Sequence, residues 1–507
     1  MFPQFYVNLA DLSKNTMCFS IWRELKMKMN RQEYLDKVYG CWVGKNIGGT
    51  MGGPYEHENE MVDCKGFTSS KGDPLPNDDL DLQLVWLHAV EDYGIKGITP
   101  ALLGEYWIEY INGPWNEYGI AKGNLRAGLL PPYSGEYDND KWKNSNGAWI
   151  RTEIWACLFP GFPELAVRYA YKDACVDHGM GEGTYAAIFV AALESSAFVE
   201  KDIRKLIDGA LSFIPEKSLV SKSVKKAISL YEKNTPFADA RNAVVKETKE
   251  LGMFQSPANV SFAILGLLYG EGDFKKTMIH TINCGDDADC TAATVGALMG
   301  IMHGKNQLPP DWVEYIGDTI KTIAIDSALW YTYPATCTEL TQRVSELMPS
   351  TLKSYGIYCE YTDKETEREK FIDKTNEEHW GFVPDFEMPS TGLSIDFKDL
   401  YYARGRVEFD CCEVASNEEI NFTFTFRNIT RDTKHLTVKL FLPDGWTSEH
   451  ENLHLCLHPM SDGGKRSTVS TKVTAGEIVS GKNLIYALVS ADCRPSSSMI
   501  PIVIWGK

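Results

Sequence analysis

The chain has too few basic residues to offset its acidic ones. This deficit limits the kinds of macromolecule and surface that the protein is expected to bind. Its 507 residues include 51 Lys and Arg against 69 Asp and Glu, a formal net charge of −18. Because no basic stripe interrupts this excess, we expect neither nucleic acid nor an anionic membrane surface as a partner. The sequence also lacks any run of eighteen apolar residues, so we expect no membrane-spanning segment.

Cysteine motifs typical of structural zinc are missing as well. The thirteen cysteines include the adjacent pair Cys411 and Cys412, but they form no spaced CxxC pairs. Their number is odd, and residues 1–26 lack a basic segment followed by an apolar core. Both features indicate reduced thiols in a cytoplasmic protein. A helix start follows at residue 31, so we interpret residues 1–30 as an extension that need not belong to the fold.

The spacing of apolar residues divides the remaining chain into three parts. Residues 31–350 carry apolar positions at helical spacing with almost no strand-like alternation, which predicts a large all-α catalytic domain. Residues 351–394 mix a charged stretch with prolines and aromatics and are expected to be a connector. Residues 395–507 alternate with a period of two, as in 420–426. They predict a small immunoglobulin-like β-sandwich, interpreted as a spacer rather than a sugar-binding module.

Two acidic clusters, residues 77–81 and 283–290, each precede an apolar helical run. Both are therefore expected at helix N-termini, where carboxylates face unpaired N–H groups. If the two helix starts converge, the carboxylates cannot all remain ionised without a compensating cation. Oxygen-rich ligand sets favour magnesium, calcium or manganese, so the pair predicts one binuclear metal site. For either cluster taken alone, an N-cap on a surface helix is the alternative.

Further motifs occur in order around these clusters. Residues 40–56 form a helix of small residues that ends in a Gly-rich turn and a glutamate. Residues 146–151 precede an apolar run, and Asp177 and His178 precede an alanine-rich helix. With the two acidic clusters, this order resembles the ADP-ribosylglycohydrolase family, which includes the dinitrogenase-reductase-activating glycohydrolases. The resemblance covers roughly residues 33–345 and implies a helical fold that hydrolyses glycosidic bonds.

The resemblance also implies a set of metal ligands. In that family a Thr-Asp-Asp run and an Asp-x-Asp-Thr run hold two magnesium or manganese ions. Asparagine can still offer an oxygen in place of the first threonine, whereas cysteine in place of the second is a soft ligand beside hard ions. The residues that match the ligand positions are Asn77, Asp78, Asp79, Asp287, Asp289 and Cys290.

Three carboxylates are expected to take part in the chemistry itself. Glu56 matches a family glutamate close to the metals, and Asp78 and Asp287 match metal-bound aspartates. A carboxylate beside two cations has a depressed pKa, which suits a base or a water-positioning group better than an acid. A surface glutamate after a turn is the alternative for Glu56.

Five residues are candidates for contacts with the substrate. Gly147 and Ala148 match a family loop that approaches the phosphates of ADP-ribose, where small residues let backbone N–H groups reach an anion. His178 matches a family histidine near the substrate, with a packing role as the alternative. Arg151 either binds an anion or is a buried structural arginine. Tyr133 lies in an aromatic stretch expected to line the cleft, where a ring can stack on a sugar or base, with a packing role as the alternative.

These residues predict a metal-dependent hydrolase that cleaves an N- or O-glycosidic bond, ADP-ribosyl or ribosyl-like, with two Mg²⁺ or Mn²⁺ ions as cofactors. The substrate is expected to be a small molecule or an ADP-ribosylated protein. One alternative is a glycoside or nucleoside hydrolase of carbohydrate catabolism on the same fold. Another is a non-catalytic family member, which the replacement of a ligand by Cys290 would signal. The sequence sets no expectation for the oligomeric state.

Overall fold

A helical domain occupies the first two thirds of the chain in a computed structural model that describes residues 25–328, 330–367, 388–397, 400–459 and 465–507. Short 3₁₀ turns connect several of its helices, including Gly53–Tyr55 and Trp149–Arg151. The α-helices are α1 Arg31–Gly52, α2 Asp78–Gly97, α3 Pro100–Tyr110, α4 Asn116–Arg126, α5 Tyr133–Glu136, α6 Glu153–Leu158, α7 Pro163–His178, α8 Glu182–Ala197, α9 Ile203–Leu211, α10 Leu219–Glu232, α11 Phe237–Thr248, α12 Ser256–Gly270, α13 Phe274–Ile282, α14 Ala288–His303, α15 Pro310–Ile316 and α16 Cys337–Lys353.

A smaller all-β region follows, so the predicted division into a helical and an all-β part is confirmed. Its strands form two five-stranded sheets, in the orders β3-β4-β6-β10-β8 and β5-β12-β11-β7-β9. An immunoglobulin-like topology stays a prediction. The strands of the chain are β1 Leu25–Asn30, β2 Ile357–Thr362, β3 Ser394–Phe397, β4 Ala403–Phe409, β5 Glu413–Val414, β6 Glu419–Asn428, β7 Lys434–Phe441, β8 Thr447–Ser448, β9 Asn452–Leu457, β10 Arg466–Thr474, β11 Lys482–Ala491 and β12 Ser498–Gly506.

Strand β6 shows why the predicted period of two holds in this region. Phe422, Phe424 and Phe426 are fully buried, while the residues between them are only partly covered. Their rings share one apolar core with residues of the other sheet, such as Ile485 and Ile502. Alternate residues of a strand point to opposite faces, so one face of each sheet supplies the core.

The first described strand joins the two ends of the helical domain. Strand β1 pairs in parallel with β2, and Met27 and Met29 are buried against the helices. These six residues of the expected extension therefore belong to the fold, whereas residues 1–24 lie outside the described residues. Strand β2 lies in the expected connector, of which residues 368–387 are likewise not described.

Helices α1 and α14 pack antiparallel at a distance that only small residues allow. A Cβ built on Gly40 would lie 2.6 Å from the carbonyl oxygen of Gly300, and one on Gly44 would overlap the carbonyl oxygen of Gly296. Backbone meets backbone along this contact, so a side chain at these positions would force the helices apart. The arrangement brings the C-terminus of α1 to the N-terminus of α14.

The sandwich packs on the helical domain through the segment around α5. Leu129 and Tyr133 belong to the apolar core of the sandwich, and the Tyr133 ring lies 5.2 Å from that of Phe409. The rings of Tyr137 and Trp505 stack at 5.4 Å. The two parts of the chain therefore share buried apolar surface.

The structure also bears on the cysteines and on membrane-spanning segments. The cysteines of the described ranges are free thiols. No helix within those ranges is long and apolar enough to cross a membrane.

Candidate metal centre and substrate cleft

The two acidic clusters meet at the N-termini of α2 and α14. Asn77 caps α2, its Oδ1 accepting a hydrogen bond from the Asp79 amide at 2.7 Å. Ligand atoms of Asp79, Asp289 and Cys290 all lie within 4.8 Å of one another, and so do those of Glu56, Asp287 and Asp289. Helix N-termini favour negative charge, which is why these acids begin the helices.

Hydrogen bonds attach the loop that carries Glu56 to the loop that precedes α14. The His57 amide donates to the carbonyl of Asp286 at 2.9 Å, and the Asp286 amide donates to the carbonyl of Glu58 at 2.6 Å. Gly285 has a φ of +71°, and a Cβ there would overlap the carbonyl oxygen of Glu58. Glycine at position 285 thus allows the two loops to approach, which holds Glu56 beside the aspartates.

The carboxylates at this point exceed the available positive charge. Four of their buried oxygens lack any hydrogen-bond donor among the described residues: both of Asp79, and Oδ1 of Asp287 and of Asp289. Lys45 is a nearby cation, but its ammonium lies 3.9 Å from Asp79 Oδ1 and bonds Glu153 at 2.6 Å instead. Buried carboxylates without donors are costly unless a cation compensates them.

When no cation is bound, the crowding of these buried carboxylates raises their pKa values. Burial, then the neighbouring Asp289, raises the pKa of Asp78 to about 6 and that of Glu56 to about 8. Burial also raises the pKa values of Asp79 and Asp287 well above their usual range. A divalent ion would displace these protons, because its ligands must be deprotonated.

The donor set fits hard divalent cations. Carboxylate oxygens from two helices are the ligands that Mg²⁺ and Mn²⁺ prefer. Cys290 lies among them as a soft donor, and burial, followed by the charges of Asp287 and Asp79, raises the pKa of its thiol. Without a cation Cys290 is therefore a neutral thiol. The depressed pKa expected for Glu56 concerns the metal-loaded site and stays a prediction.

The loop that contains Gly147 and Ala148 is tied directly to the acidic cluster. Asn146 Nδ2 donates to Asp287 Oδ2 at 2.7 Å, and its Oδ1 accepts from the Trp149 indole at 3.0 Å. Gly147 and Ala148 are buried just beyond it. The sequence alone predicts no role for Asn146, because the hydrogen bond joins residues 141 positions apart.

Arg151 lies beneath this loop, fully buried. Its guanidinium bonds Asp173 at 2.9 Å and Asp177 at 2.8 Å, and it also donates to the carbonyl of Gly147. These contacts support the buried structural alternative for Arg151. The guanidinium holds the loop in place through Gly147.

His178 is also fully buried under the loop. Its Nδ1 lies 3.0 Å from Asp177 Oδ1, and its Nε2 lies 3.1 Å from the Ser145 hydroxyl. A Cβ on Gly147 would overlap the carboxylate of Glu117, which lies 3.9 Å from His178 Nε2. His178 therefore packs against the buried side of this loop. Only glycine fits at position 147, beside the carboxylate of Glu117.

The aromatic side chains within residues 115–137 lie in two different places. The Tyr118 hydroxyl donates to Asp78 Oδ2 at 3.1 Å, and the Trp115 ring lies 5.8 Å from that of Tyr118. Trp115 is 40% exposed and so available for stacking. Tyr133 instead lies in the contact with the sandwich, and none of its described ring contacts involves the acidic cluster.

A buried polar network behind Asp79 was absent from the sequence-based prediction. Lys45 bonds Glu153, and Gln83 donates to the other oxygen of Glu153 at 2.8 Å. The Thr152 hydroxyl donates to Glu194 at 2.8 Å beside this pair. Lys45 lies in a largely apolar stretch of α1, where a charged residue needs a buried partner, and this is the feature of the sequence that indicates such a network.

Comparison with known proteins agrees with this architecture. Residues 30–339 match the sequence model of the ADP-ribosylglycohydrolase family. The chain is 22% identical over 298 residues to the ADP-ribosylarginine hydrolase Tri1 of Pseudomonas putida (strain GB-1), covering 56% of this chain and 75% of that protein. It is 25% identical over 244 residues to the ADP-ribosylhydrolase ARH3 of Xenopus tropicalis, covering 42% and 69%.

A solved structure described as an ADP-ribosylglycohydrolase-related protein complex is also similar. It is 18% identical, covers 63% of this chain and 99% of its own, and has a TM-score of 0.45. Because the residues matched by the family, 30–339, make up more than half of the 507, the chain belongs to the ADP-ribosylglycohydrolase family of glycosidic-bond hydrolases.

Proposed function

We propose that this protein cleaves an N- or O-glycosidic bond of an ADP-ribosyl or ribosyl-like substrate, using two Mg²⁺ or Mn²⁺ ions between the N-termini of α2 and α14. The observation that carries the proposal is the convergence of buried carboxylates from both helices, four of whose oxygens lack a donor in the part of the chain that the structure describes. The relatives named as ADP-ribosyl hydrolases support the choice of substrate.

Asp78 and Asp79 from α2, with Asp287 and Asp289 before and within α14, would hold the ions. When bound, such cations supply Lewis acidity that polarises substrate hydroxyls and activates water. Asn77 already accepts one hydrogen bond at Oδ1, and an amide oxygen has a second lone pair for a ligand.

Glu56 is the residue best placed to accept a proton. Its side chain is 38% exposed, at the edge of a cluster in which Asp79, Asp287 and Asp289 are buried. Water adds at the anomeric carbon as the bond to the leaving group breaks, so one proton leaves the water and one reaches the leaving group. Glu56 takes up the first of these as the general base.

The loop of residues 146–149 would bind the substrate on the other side. Gly147 and Ala148 match the family loop that approaches the phosphates of ADP-ribose, and backbone N–H groups at small residues suit an anion. Arg151 and His178 hold this loop from beneath, and Asn146 sets its distance from Asp287.

A glycoside or nucleoside substrate is the second candidate. Trp115 is partly exposed beside Tyr118, whose hydroxyl reaches Asp78. An aromatic pair next to a metal site suits stacking against a sugar face or a base. This candidate keeps the same carboxylates and changes only the leaving group.

Removal of single ligands tests the metal site. We expect Asp79→Ala and Asp287→Ala each to lower kcat/KM by at least about 100-fold and to abolish binding of one or both ions. Both acids serve the ions rather than the apolar core, so circular dichroism should show an unchanged helical fold. Metal content is measured by mass spectrometry after dialysis against Mg²⁺ or Mn²⁺.

A panel of substrates distinguishes the two candidates. ADP-ribosyl-arginine, ADP-ribosyl-serine, a nucleoside and an aryl glycoside are each incubated with the full chain and either ion. Asp311→Ala removes an exposed aspartate on α15 and serves as the matched control, with unchanged turnover expected. Wild-type turnover and metal content in both Asp79→Ala and Asp287→Ala would contradict the proposed site. Cleavage of the nucleoside or glycoside alone would establish the second candidate.

A further inference from the structure

One carboxylate of the first acidic cluster is not among the acids proposed to hold the ions. Asp81 lies one helical turn after Asp78 on the same face of α2, because residues three apart in a helix are neighbours. It is fully buried, and its Oδ2 accepts hydrogen bonds from two consecutive backbone amides, those of Ile323 at 2.7 Å and Ala324 at 2.8 Å. Asp81 therefore attaches a loop, residues 321–326, to α2.

A second loop, residues 110–115, is joined to the first one. The amide of Asp326 donates to the carbonyl of Tyr110 at 2.8 Å. Ile111 and Ile325 form an antiparallel β-bridge next to this hydrogen bond. Backbone bonds of this kind fix the distance between the two loops. The attachment to α2 therefore positions both loops together.

Each of the two loops carries an exposed apolar side chain close to Asp78. Ile323 is 55% exposed, and its amide is bound one turn after Asp78 on the same helix face. The partly exposed Trp115 ring lies 5.8 Å from the ring of Tyr118, whose hydroxyl donates to Asp78 Oδ2 at 3.1 Å. Asp78 is itself only partly buried. Apolar surface beside an open carboxylate is characteristic of a ligand site.

We propose that Trp115 and Ile323 form an apolar wall that receives an aromatic ring of the leaving group, and that Asp81 positions this wall. This role rests on the proposed function, in which the ions beside Asp78 hold the reacting sugar. The wall begins one turn of α2, about 5 Å, from Asp78. The indole can stack on a ring there, and the aliphatic side chain can pack against it.

The short distance between the wall and Asp78 selects the ring that the wall receives. In ADP-ribose a diphosphate and a second ribose separate the adenine from the reacting sugar. A base or aryl group bonded directly to the anomeric carbon lies within reach of a wall only one helical turn from the ions. The substrate class is therefore a glycoside or nucleoside whose leaving group is an aromatic ring.

Binding of two uncleavable sugars to the full chain with Mg²⁺ measures the contact with the ring. One probe is a C-nucleoside, in which a purine-like ring is joined to ribose by a carbon–carbon bond. The other is 1,4-anhydroribitol, the same sugar without the ring. Calorimetric titration gives the ratio of the two affinities, which should favour the C-nucleoside about tenfold or more. EDTA should weaken both probes alike, because the ions hold the sugar in each.

Substitution of the exposed isoleucine tests the wall itself. Ile323→Ser removes aliphatic surface that the ring would cover, so the affinity ratio should fall about 3- to 10-fold. The affinity for 1,4-anhydroribitol should not change. Ile478→Ser makes the same change at an isoleucine of the sandwich that is 81% exposed, and it should leave the ratio at its wild-type value.

Substitutions of Asp81 test its positioning role. Asp81→Ala removes the acceptor of both amides and should lower the ratio by a similar factor without loss of bound Mg²⁺. Asp81→Asn keeps an oxygen that can accept them and should retain the ratio. Asp202→Ala is the matched control, because Asp202 accepts from two consecutive amides, those of Arg204 and Lys205, at the start of α9. Thermal unfolding without ligand shows whether each variant is folded.

Equal affinities for the two probes, or a wild-type ratio in Ile323→Ser, would overturn the wall. Loss of bound Mg²⁺ from folded Asp81→Ala would assign Asp81 to the ions and overturn its positioning role. Failure of the proposed function gives a different result. If EDTA changed neither affinity, the sugar would not be held by ions, whereas the ratio and its response to Ile323→Ser would still decide whether the wall binds a ring.

Discussion

The burial of Asp79 shows how costly one ionised carboxylate becomes in this cluster. Both of its oxygens are fully buried and lack a donor among the described residues, while Lys45 is engaged with Glu153. An ionised carboxylate in such surroundings costs several kcal/mol unless it is paired. Asp287 and Asp289 each have one buried oxygen without a donor among the described residues, and proton uptake or metal binding would lower the cost at all three acids.

Cys290 should set the preference between metals. A thiol is a poorer partner for Mg²⁺ than a hydroxyl oxygen, so Cys290→Thr should strengthen Mg²⁺ binding relative to Mn²⁺. Little change in stability is expected, because the two side chains are similar in size. Calorimetric titrations of both proteins with both ions measure the ratio. Identical titrations would mean that this side chain does not ligate a metal.

Asn146 should act as a positioning residue. Asn146→Ala removes the hydrogen bond that orients Asp287, so metal affinity should fall by about 10- to 100-fold. Asn112→Ala is the matched control, because Asn112 makes a similar amide-to-carboxylate bond, 3.0 Å to Asp326, at the surface. We expect that control to retain wild-type affinity. Equal metal affinities for Asn146→Ala and wild type would show that Asp287 keeps its orientation without the bond.

The α1–α14 pair sets the geometry of the centre through backbone contact. The antiparallel packing places the turn after α1, with Glu56, beside the aspartates at the start of α14. Because glycines let the two backbones touch, the distance between the loops is determined by the helices and not by flexible side chains. Any spreading of these helices would therefore move Glu56 away from Asp289.

A methyl group in this contact should damage both stability and metal binding. Gly44→Ala places a Cβ on the carbonyl of Gly296, and overpacking of this kind costs about 1–3 kcal/mol. Gly209→Ala in α9 is the control, because its added Cβ meets no atom within 4 Å. The control should be stabilised by about 0.5–1 kcal/mol. Denaturant unfolding measures the stability of both variants. Equal stabilities would contradict the close contact between α1 and α14.

The helical domain and the sandwich are joined by apolar surface rather than by the metal centre. Leu129 and Tyr133 are buried in the sandwich core, whereas the acidic cluster draws its residues from α2, α14 and the turn after α1. The sandwich can therefore influence solubility without supplying a ligand to the cluster.

Removal of the sandwich should leave the proposed chemistry intact. A chain truncated near residue 390 keeps the carboxylates and should bind two ions, but it exposes Leu129 and Tyr133 and should be less soluble. Metal content and turnover of the truncated and full chains are compared. A folded truncation that binds metal but cannot cleave a substrate of the full chain would show that the sandwich contributes to the cleft.

Local patterns were sufficient for the division of the chain and for its family. Helical periodicity up to residue 350 and the alternation in 420–426 arise from side chains close in sequence, and the structure confirms both. The acids at 78–79 and 286–289 could be placed at helix starts for the same reason, because capping is a short-range interaction. The family assignment rested on the order of such motifs and is confirmed by the match over residues 30–339.

Tertiary structure alone decided which polar residues meet. Asn146 reaches Asp287, Lys45 pairs with Glu153, and Tyr133 turns to the sandwich because the packing of distant segments brings them there. The pairing of β1 with β2 joins residues more than three hundred positions apart in the same way. The sequence shows the hydrophobic period of a helix or strand but not which element packs against it. Buried polar groups form their hydrogen bonds with such neighbouring elements, so tertiary structure decides their partners.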